Sequence, residues 1–347
     1  MMTGMERFGA LMNGKKPDRV PIILNLLDQG AKELGLSLRE YYSRGELVAE
    51  GQLRLRAKYA YDGLLGMFYT ALDAEIMGCQ YIIYADDGPP NVGQLIIRTP
   101  EDIRQLPLPD DLHVHPRFRE LATCIGILKR ESAGRWPVLG AVTASFSLPA
   151  MLMGIGQWME LFLSGDPGLR DLLLEKCSAF CARQISALRE AGADLIVYNN
   201  PLASATFITP QKSRELALPW TIRDLEGGGS EGLVYFNGGG RINPILADLQ
   251  THTDICAYYL NPFDDIAEAR QILGPQTLIV GAINDIRLTD WNPGEIEREV
   301  ERIMLAGKSG GSFAFGTLVM PYHIPEENIR ALMAGAVKYG RDTTEAS

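Results

Sequence analysis

Four of the short apolar runs in this chain close on asparagine, in the contexts Tyr198-Asn199-Asn200, Tyr235-Phe236-Asn237, Tyr258-Tyr259-Leu260-Asn261 and Ile283-Asn284-Asp285. A carboxamide is neutral and both donates and accepts, so it orients a substrate without a counter-charge. Near these asparagines in the pattern stand groups that can stack on a planar ligand or move a proton: Tyr69, Tyr198, Tyr235, Tyr259, Asp28, Asp285, Asn25, Thr317 and His323. A single asparagine is also a good strand terminator through local capping. Repeated around one opening, with tyrosines, the set describes a neutral, aromatic and polar cavity suited to a planar ligand.

For these residues to share a cavity, the runs must be strands that end on one face. Short β-branched stretches recur at 20–26, 63–67, 137–142, 194–200, 233–237, 255–261, 277–284 and 312–317, most of them apolar throughout, as expected of parallel strands buried on both faces. Between them lie helical stretches such as 47–59, 167–191, 210–226, 244–251, 266–273, 293–305 and 325–339, several with proline near the first turn. Strand-then-helix units repeated in this way predict an α/β fold, a single (β/α)8 barrel over 1–341, whose chemistry sits at the strand C-termini. The extra length at 81–115 reads as an insertion between strands two and three, with a hairpin around DDGPPNVG, and 342–347 as a flexible tail. A doubly wound open sheet competes, but no Gly-rich dinucleotide turn follows the first strand. Gly238-Gly239-Gly240 reads as a tight turn rather than an anion cradle, and Cys177 and Cys181 as core residues of a helix.

Composition narrows the partners. The 33 basic against 43 acidic residues give a formal charge of −10, which repels nucleic acid and anionic membrane surfaces unless a local basic patch intervenes. No apolar run reaches the length of a membrane span, no signal-peptide core opens the chain, and five scattered cysteines do not make a disulfide framework. The expected location is the cytoplasm, and a homodimer is left open.

The stretches AEIMGCQYIIYADDGPPNVG, GAVTASFSLPAMLMG, AGADLIVYNNPLASATFITPQKSRELALPW, INPILADLQTHTDICAYYLNPFDDIAEARQILGPQTLIVGAIND and IPEENI resemble, in order, the uroporphyrinogen decarboxylase superfamily, and more narrowly its corrinoid-dependent methyltransferase branch. The resemblance implies the same barrel. It also marks departures. The decarboxylases carry arginine after the first strand and an aspartate after the second; here the segment IILNLLDQGAKE has no arginine and Tyr69 stands at the aspartate position. The coenzyme M methyltransferases of the branch bind zinc through His-x-Cys after strand five and a cysteine after strand eight. The matching positions here are Tyr235, Asn237 and Thr317 or Leu318.

The resemblance therefore points to methyl transfer from a small methylated compound, an aryl methyl ether first, to the Co(I) of a corrinoid carried by a partner protein. In this reading Tyr69, Asn200, Asn237, Tyr259, Asp285 and His323 are the catalytic candidates, while Asn25, Asp28, Tyr198, Asn199, Tyr235, Asn261, Asn284 and Thr317 bind substrate. His323 and Asp285 are the candidates for holding a metal, and zinc has no supporting ligand spacing. Replacing Asn200 or Asn237 by alanine is expected to slow transfer and spare the fold. The alternative is a decarboxylase-like lyase acting on a less charged substrate.

Overall fold

The structure is a computed structural model describing residues 2–341; the expected tail at 342–347 lies outside the described residues. Its eight-stranded sheet is built from β1 (Ile22–Asn25), β2 (Leu64–Leu65), β3 (Val138–Thr143), β4 (Leu195–Asn199), β5 (Leu233–Phe236), β6 (Ala257–Tyr259), β7 (Leu278–Ile283) and β8 (Phe313–Val319). All neighbours pair in parallel, in the order β1-β8-β7-β6-β5-β4-β3-β2. Each strand is followed by a helix: α1 (Gly45–Tyr59), α2 (Pro116–Ser132), α3 (Pro167–Glu190), α4 (Leu218–Gly228), α5 (Asn243–His252), α6 (Ile266–Leu273), α7 (Pro293–Lys308) and α8 (Glu326–Gly340). This is the expected (β/α)8 barrel.

Alternation along the strands builds two apolar layers. Ile23, Leu65, Leu139, Val234, Phe236, Tyr259, Val280 and Ala314 form an inner core, sealed at the N-terminal end by Phe8 and Leu11. Those two come from the helix Gly4–Met12, whose start is fixed by a Thr3/Glu6 capping box. The alternate residues, among them Ile22, Leu64, Val142, Ile196, Tyr198, Tyr235, Tyr258 and Phe315, join the larger core between sheet and helices.

The seam between β1 and β2 is closed without a ladder. The Asp62 amide donates to the Ile22 carbonyl at 2.8 Å, and the Asp62 carboxylate accepts from the Ile22 amide at 2.8 Å. Arg7 and Arg19 approach the same carboxylate at 2.7 and 2.6 Å, so this buried charge is fully paired.

The stretch 210–226 is not one helix. A short α-turn Pro210–Lys212 passes through a π-helical turn Ser213–Ala217 into α4. Pro219 has no N–H for an i→i−4 bond, and the slipped register is the local accommodation. Between β2 and β3 the chain forms a helix Leu72–Ile76, an antiparallel hairpin of Ile82–Ile83 with Asn91–Val92, and a helix Pro100–Gln105. Among the described residues no helix is long and apolar enough to cross a membrane, and Cys79, Cys124, Cys177, Cys181 and Cys256 are all free.

Candidate functional site

At the C-terminal end of the barrel, register brings Thr143, Asn199, Phe236 and Tyr259 to one level across β3 to β6. A crevice opens there between Asn25, Phe68, Val197, Asn199, Phe236 and Val319, and no charged side chain lines it. Its volume is about 30 Å³, room for a water molecule or two. Asn25 is pinned to β8: its amide donates to Thr317 Oγ1 at 2.9 Å, and its Nδ2 to the Thr317 carbonyl at 2.5 Å. Asn199 Nδ2 donates to the Val142 carbonyl at 3.1 Å, which leaves its Oδ1 for the crevice.

Tyr259 does not line the crevice itself but packs beside Phe236, which does. Its ring meets Phe236 edge-on at 5.2 Å and lies over Gly316, where a β-carbon would stand only 2.5 Å from the hydroxyl. That hydroxyl is buried without a partner at hydrogen-bond distance, although the Asn25 carboxamide is close enough to favour its ionised form slightly. Burial dominates and holds the phenol protonated well above the ordinary range.

Asn237 and Asn261 fix the loop above this level. Asn237 Nδ2 donates to the Arg241 carbonyl at 3.3 Å, while its buried Oδ1 has no partner. Asn261 Nδ2 donates to the Gly239 carbonyl, and its Oδ1 accepts from the Phe263 amide at 2.8 Å. The Gly238 and Gly239 backbones are left-handed, with φ of 54° and 95°, and a β-carbon on Gly240 would lie 2.1 Å from Ser204 Oγ. The triplet is therefore a tight turn packed on the β4 loop. Asn284 Oδ1 accepts from the Arg287 amide at 3.1 Å and caps the turn that follows β7. Asp285 beside it is 7% exposed; burial pushes its pKa up to about 6, only partly offset by the backbone amides of residues 285 and 286.

Other candidates lie elsewhere. Tyr198 and Tyr235 face the helices and do not line the crevice: the Tyr198 hydroxyl donates to Asp224 Oδ2 of α4 at 2.6 Å, and the two rings pack at 5.8 Å in the outer core. Asn200 shares that side. It is fully buried, accepts from Ser147 Oγ at 2.8 Å and donates to Thr221 Oγ1 at 3.3 Å, so its removal acts on packing. Tyr69 is buried in the outer core, donating to Glu75, with its ring 5.0 Å from Tyr42. Asp28 accepts from the Tyr42 hydroxyl at 2.6 Å, and burial raises its pKa. His323 is exposed on the rim, 3.2 Å from Asp87 of the hairpin.

Two buried carboxylates without a sequence motif position the site. Asp73 accepts from the Thr143 amide and from Gln184 Nε2, both at 2.6 Å, and Asp224 accepts from the Ser145 amide at 3.0 Å. Together they cap the end of β3. Asp264 does the same for the β5 loop, accepting from the amides of Ile242 and Asn243 at 2.9 and 3.2 Å.

The zinc-bearing positions of the branch do not form a metal centre here. Tyr235 faces away, Asn237 and Thr317 offer neither thiol nor imidazole, and among the described residues no group of three His, Cys, Asp or Glu side chains converges to hold a metal. His323 and Asp285 are likewise not part of such a group.

Comparison with known proteins agrees with this architecture. The profile of the family described as uroporphyrinogen decarboxylase matches residues 3–339. The chain is 24% identical over 344 residues to a Methylcobamide:CoM methyltransferase of Methanosarcina barkeri, covering 96% of this chain and 97% of the relative. It is 25% identical over 339 residues to a uroporphyrinogen decarboxylase of Trichlorobacter lovleyi, covering 92% and 94%. A solved methyltransferase structure from Methanosarcina mazei superposes with a TM-score of 0.83 at 19% identity, covering 98% of this chain and 99% of that one.

Proposed function

This chain belongs to the uroporphyrinogen decarboxylase family, and on that premise we propose that it is a methyltransferase moving a methyl group from a small methylated compound to a corrinoid carried by a partner protein. The observation that carries the reading is the combination of an uncharged amide-and-aromatic mouth with an exposed apolar rim. An eightfold acidic porphyrinogen would need cations; the crevice offers Asn25, Asn199, Phe236 and Phe68.

The rim points to a protein partner. Ile83, Ile155, Phe207, Phe263 and Ile286 are large apolar side chains exposed on segments that follow β2, β3, β4, β6 and β7, the face that opens on the mouth. Met12, Val114, Leu163 and Leu305 are exposed on other segments, so the five are scattered apolar side chains around the strand ends, and exposed apolar area beside a site suits a surface that another protein covers. A corrinoid protein seated there supplies the Co(I) nucleophile to a methyl carbon held at the mouth.

The donor we favour is an aryl methyl ether. The crevice is too narrow for the ring, which would rest above it, between Phe236, Tyr259 and Asn237, with the Asn25 and Asn199 carboxamides as a polar floor. In-line displacement then breaks the methyl–oxygen bond, leaving its electron pair on the phenolic oxygen, and that oxygen needs a proton. Asp285 is the group suited to hold it: its carboxyl is buried at the rim and protonated into the mildly acidic range. Tyr259 can donate a hydrogen bond without ionising. No step is assigned to zinc. We place the reaction in the cytoplasm, where thiols such as the five free cysteines remain reduced.

The reading is tested by offering methoxylated aromatics, methylamines and methanol with a Co(I) corrinoid protein, and measuring the demethylated product by chromatography. Phenol formation dependent on the corrinoid is expected. Carbon dioxide release from an aromatic or pyrrole acid, without demethylation, would replace this reading by the lyase.

A further inference from the structure

At the opposite end of the barrel, the loop after the helix Gly4–Met12, the turn before β8 and the ends of α7 and α8 enclose a cavity of about 410 Å³. Among the described residues its ionisable lining is Lys15, Lys16 and Lys308, with no carboxylate, in a chain whose formal charge is −10. Its floor is apolar, formed by Leu11, Val20 and Phe313. We propose that this cavity is a second binding site, for a small phosphomonoester with an apolar body, distinct from the mouth where methyl transfer is placed.

Surface lysines alone would mean little, since most are simply solvated. Three observations set this site apart. The Lys15 amide donates to the Ala10 carbonyl at 2.8 Å and fixes the backbone there, while its side chain makes no hydrogen bond or ion pair among the described residues, so the ammonium is open to a ligand. Lys308 donates to the carbonyls of Tyr339 and Arg341 at 2.8 and 3.1 Å; this fixes its ammonium at the cavity wall and leaves one N–H uncommitted. Ser312 also forms part of the wall, and its hydroxyl, in a residue only 7% exposed, has no partner. A buried hydroxyl normally finds one.

Charge and shape select the ligand. Lys15 and Lys308 set two ammonium groups around one concavity, and a dianion answers both charges where a single carboxylate would answer only one. Gly14 and Gly310 are left-handed, with φ of 66° and 89°, and the Gln276 carboxamide of the wall lies beside Gly14, its Oε1 3.2 Å from where a β-carbon there would stand. The apolar floor then adds affinity for a ring or short chain attached to the phosphate.

The test is calorimetric titration at low salt with three probes: phenyl phosphate, inorganic phosphate and phenol. Phenyl phosphate is expected to bind one per chain, about tenfold tighter than inorganic phosphate, and phenol not at this site. Lys15→Ala should weaken phenyl phosphate about tenfold or more, Lys15→Arg should retain it, and neither should change the melting temperature of the free protein. Lys308→Ala also removes the cap on α8, so it is interpreted only beside the Lys15 pair. Phenyl phosphate bound equally by wild type and Lys15→Ala would place its site elsewhere and overturn the proposal. So would an absence of saturable heat, or binding of phosphate with no gain from the ring.

Discussion

The Tyr259 hydroxyl stands 2.5 Å from where a β-carbon on Gly316 would lie, so β6 and β8 meet across the barrel through a phenol and a bare α-carbon. Glycine here permits close approach of a ring, and no unusual dihedral is involved. Gly316→Ala should destabilise the protein by roughly 1–3 kcal/mol, because Val280 Cγ1, at 2.6 Å from the same point, also blocks the new methyl. Tyr259→Phe should recover part of that loss. A double-mutant cycle in urea, reading chain stability, is expected to show a coupling energy well above experimental error; strictly additive effects would contradict the contact.

Asn200 and Asn237 should separate cleanly. Asn200→Ala removes two buried hydrogen bonds, leaving Ser147 Oγ with only the bond it accepts from the Leu202 amide and Thr221 Oγ1 with only the one it donates to the Ala217 carbonyl, so a stability loss of about 1–3 kcal/mol is expected, measured by denaturant midpoint. Asn237→Ala removes only one long bond to the Arg241 carbonyl and an unpartnered Oδ1, so it should slow transfer roughly tenfold with a near-native midpoint.

Asp285 has a raised pKa, about 6 against 3.8 for a free side chain, so the folded protein favours its neutral form. Stability from this group is therefore greatest below about pH 4 and falls as pH rises to about 6, beyond which the penalty is constant. Asp285→Asn escapes that penalty. It should be more stable than wild type by on the order of 2–3 kcal/mol at about pH 8 and indistinguishable near pH 3.5, read from melting curves across pH. If the carboxyl also delivers the leaving-group proton, kcat/KM in wild type should fall above about pH 6, and the variant should lose that limb of the profile along with most of its rate.

The apolar rim gives a kinetic prediction. Phe263→Asp should raise the KM for the corrinoid protein about tenfold or more, while leaving the rate with free cob(I)alamin unchanged, since Phe263 is 74% exposed and contributes little to the core. Equal losses with both acceptors would place Phe263 in the site instead of on a docking surface.

The barrel was legible in the sequence because strands such as Val138–Thr143 are buried on both faces and keep a continuous apolar signature that a half-exposed strand would lose. What the strand ends present was legible only in part. Asn25, Asn199 and Tyr259 do gather at the mouth, but Tyr198, Tyr235 and Asn200 occupy alternate positions that turn to the helices. Which alternate set faces inward depends on register between strands, which no single run encodes. Asp73 and Asp224 were invisible for another reason: the amides they cap, on Thr143 and Ser145, lie 70 and 79 residues away in the chain. The His323 contact with Asp87 spans 236 residues and has no local pattern either.

The most direct test of methyl transfer is spectroscopic. Under anaerobic conditions a partner corrinoid protein is reduced to Co(I), a methoxylated aromatic is added with catalytic amounts of this protein, and the visible spectrum is followed. Methyl transfer by this protein converts the Co(I) spectrum to that of methyl-Co(III), with one phenol released per corrinoid methylated and a slower rate for Asn237→Ala. A Co(I) spectrum that stays unchanged with every methyl donor tried, while the same corrinoid protein is methylated by methyl iodide, would contradict it.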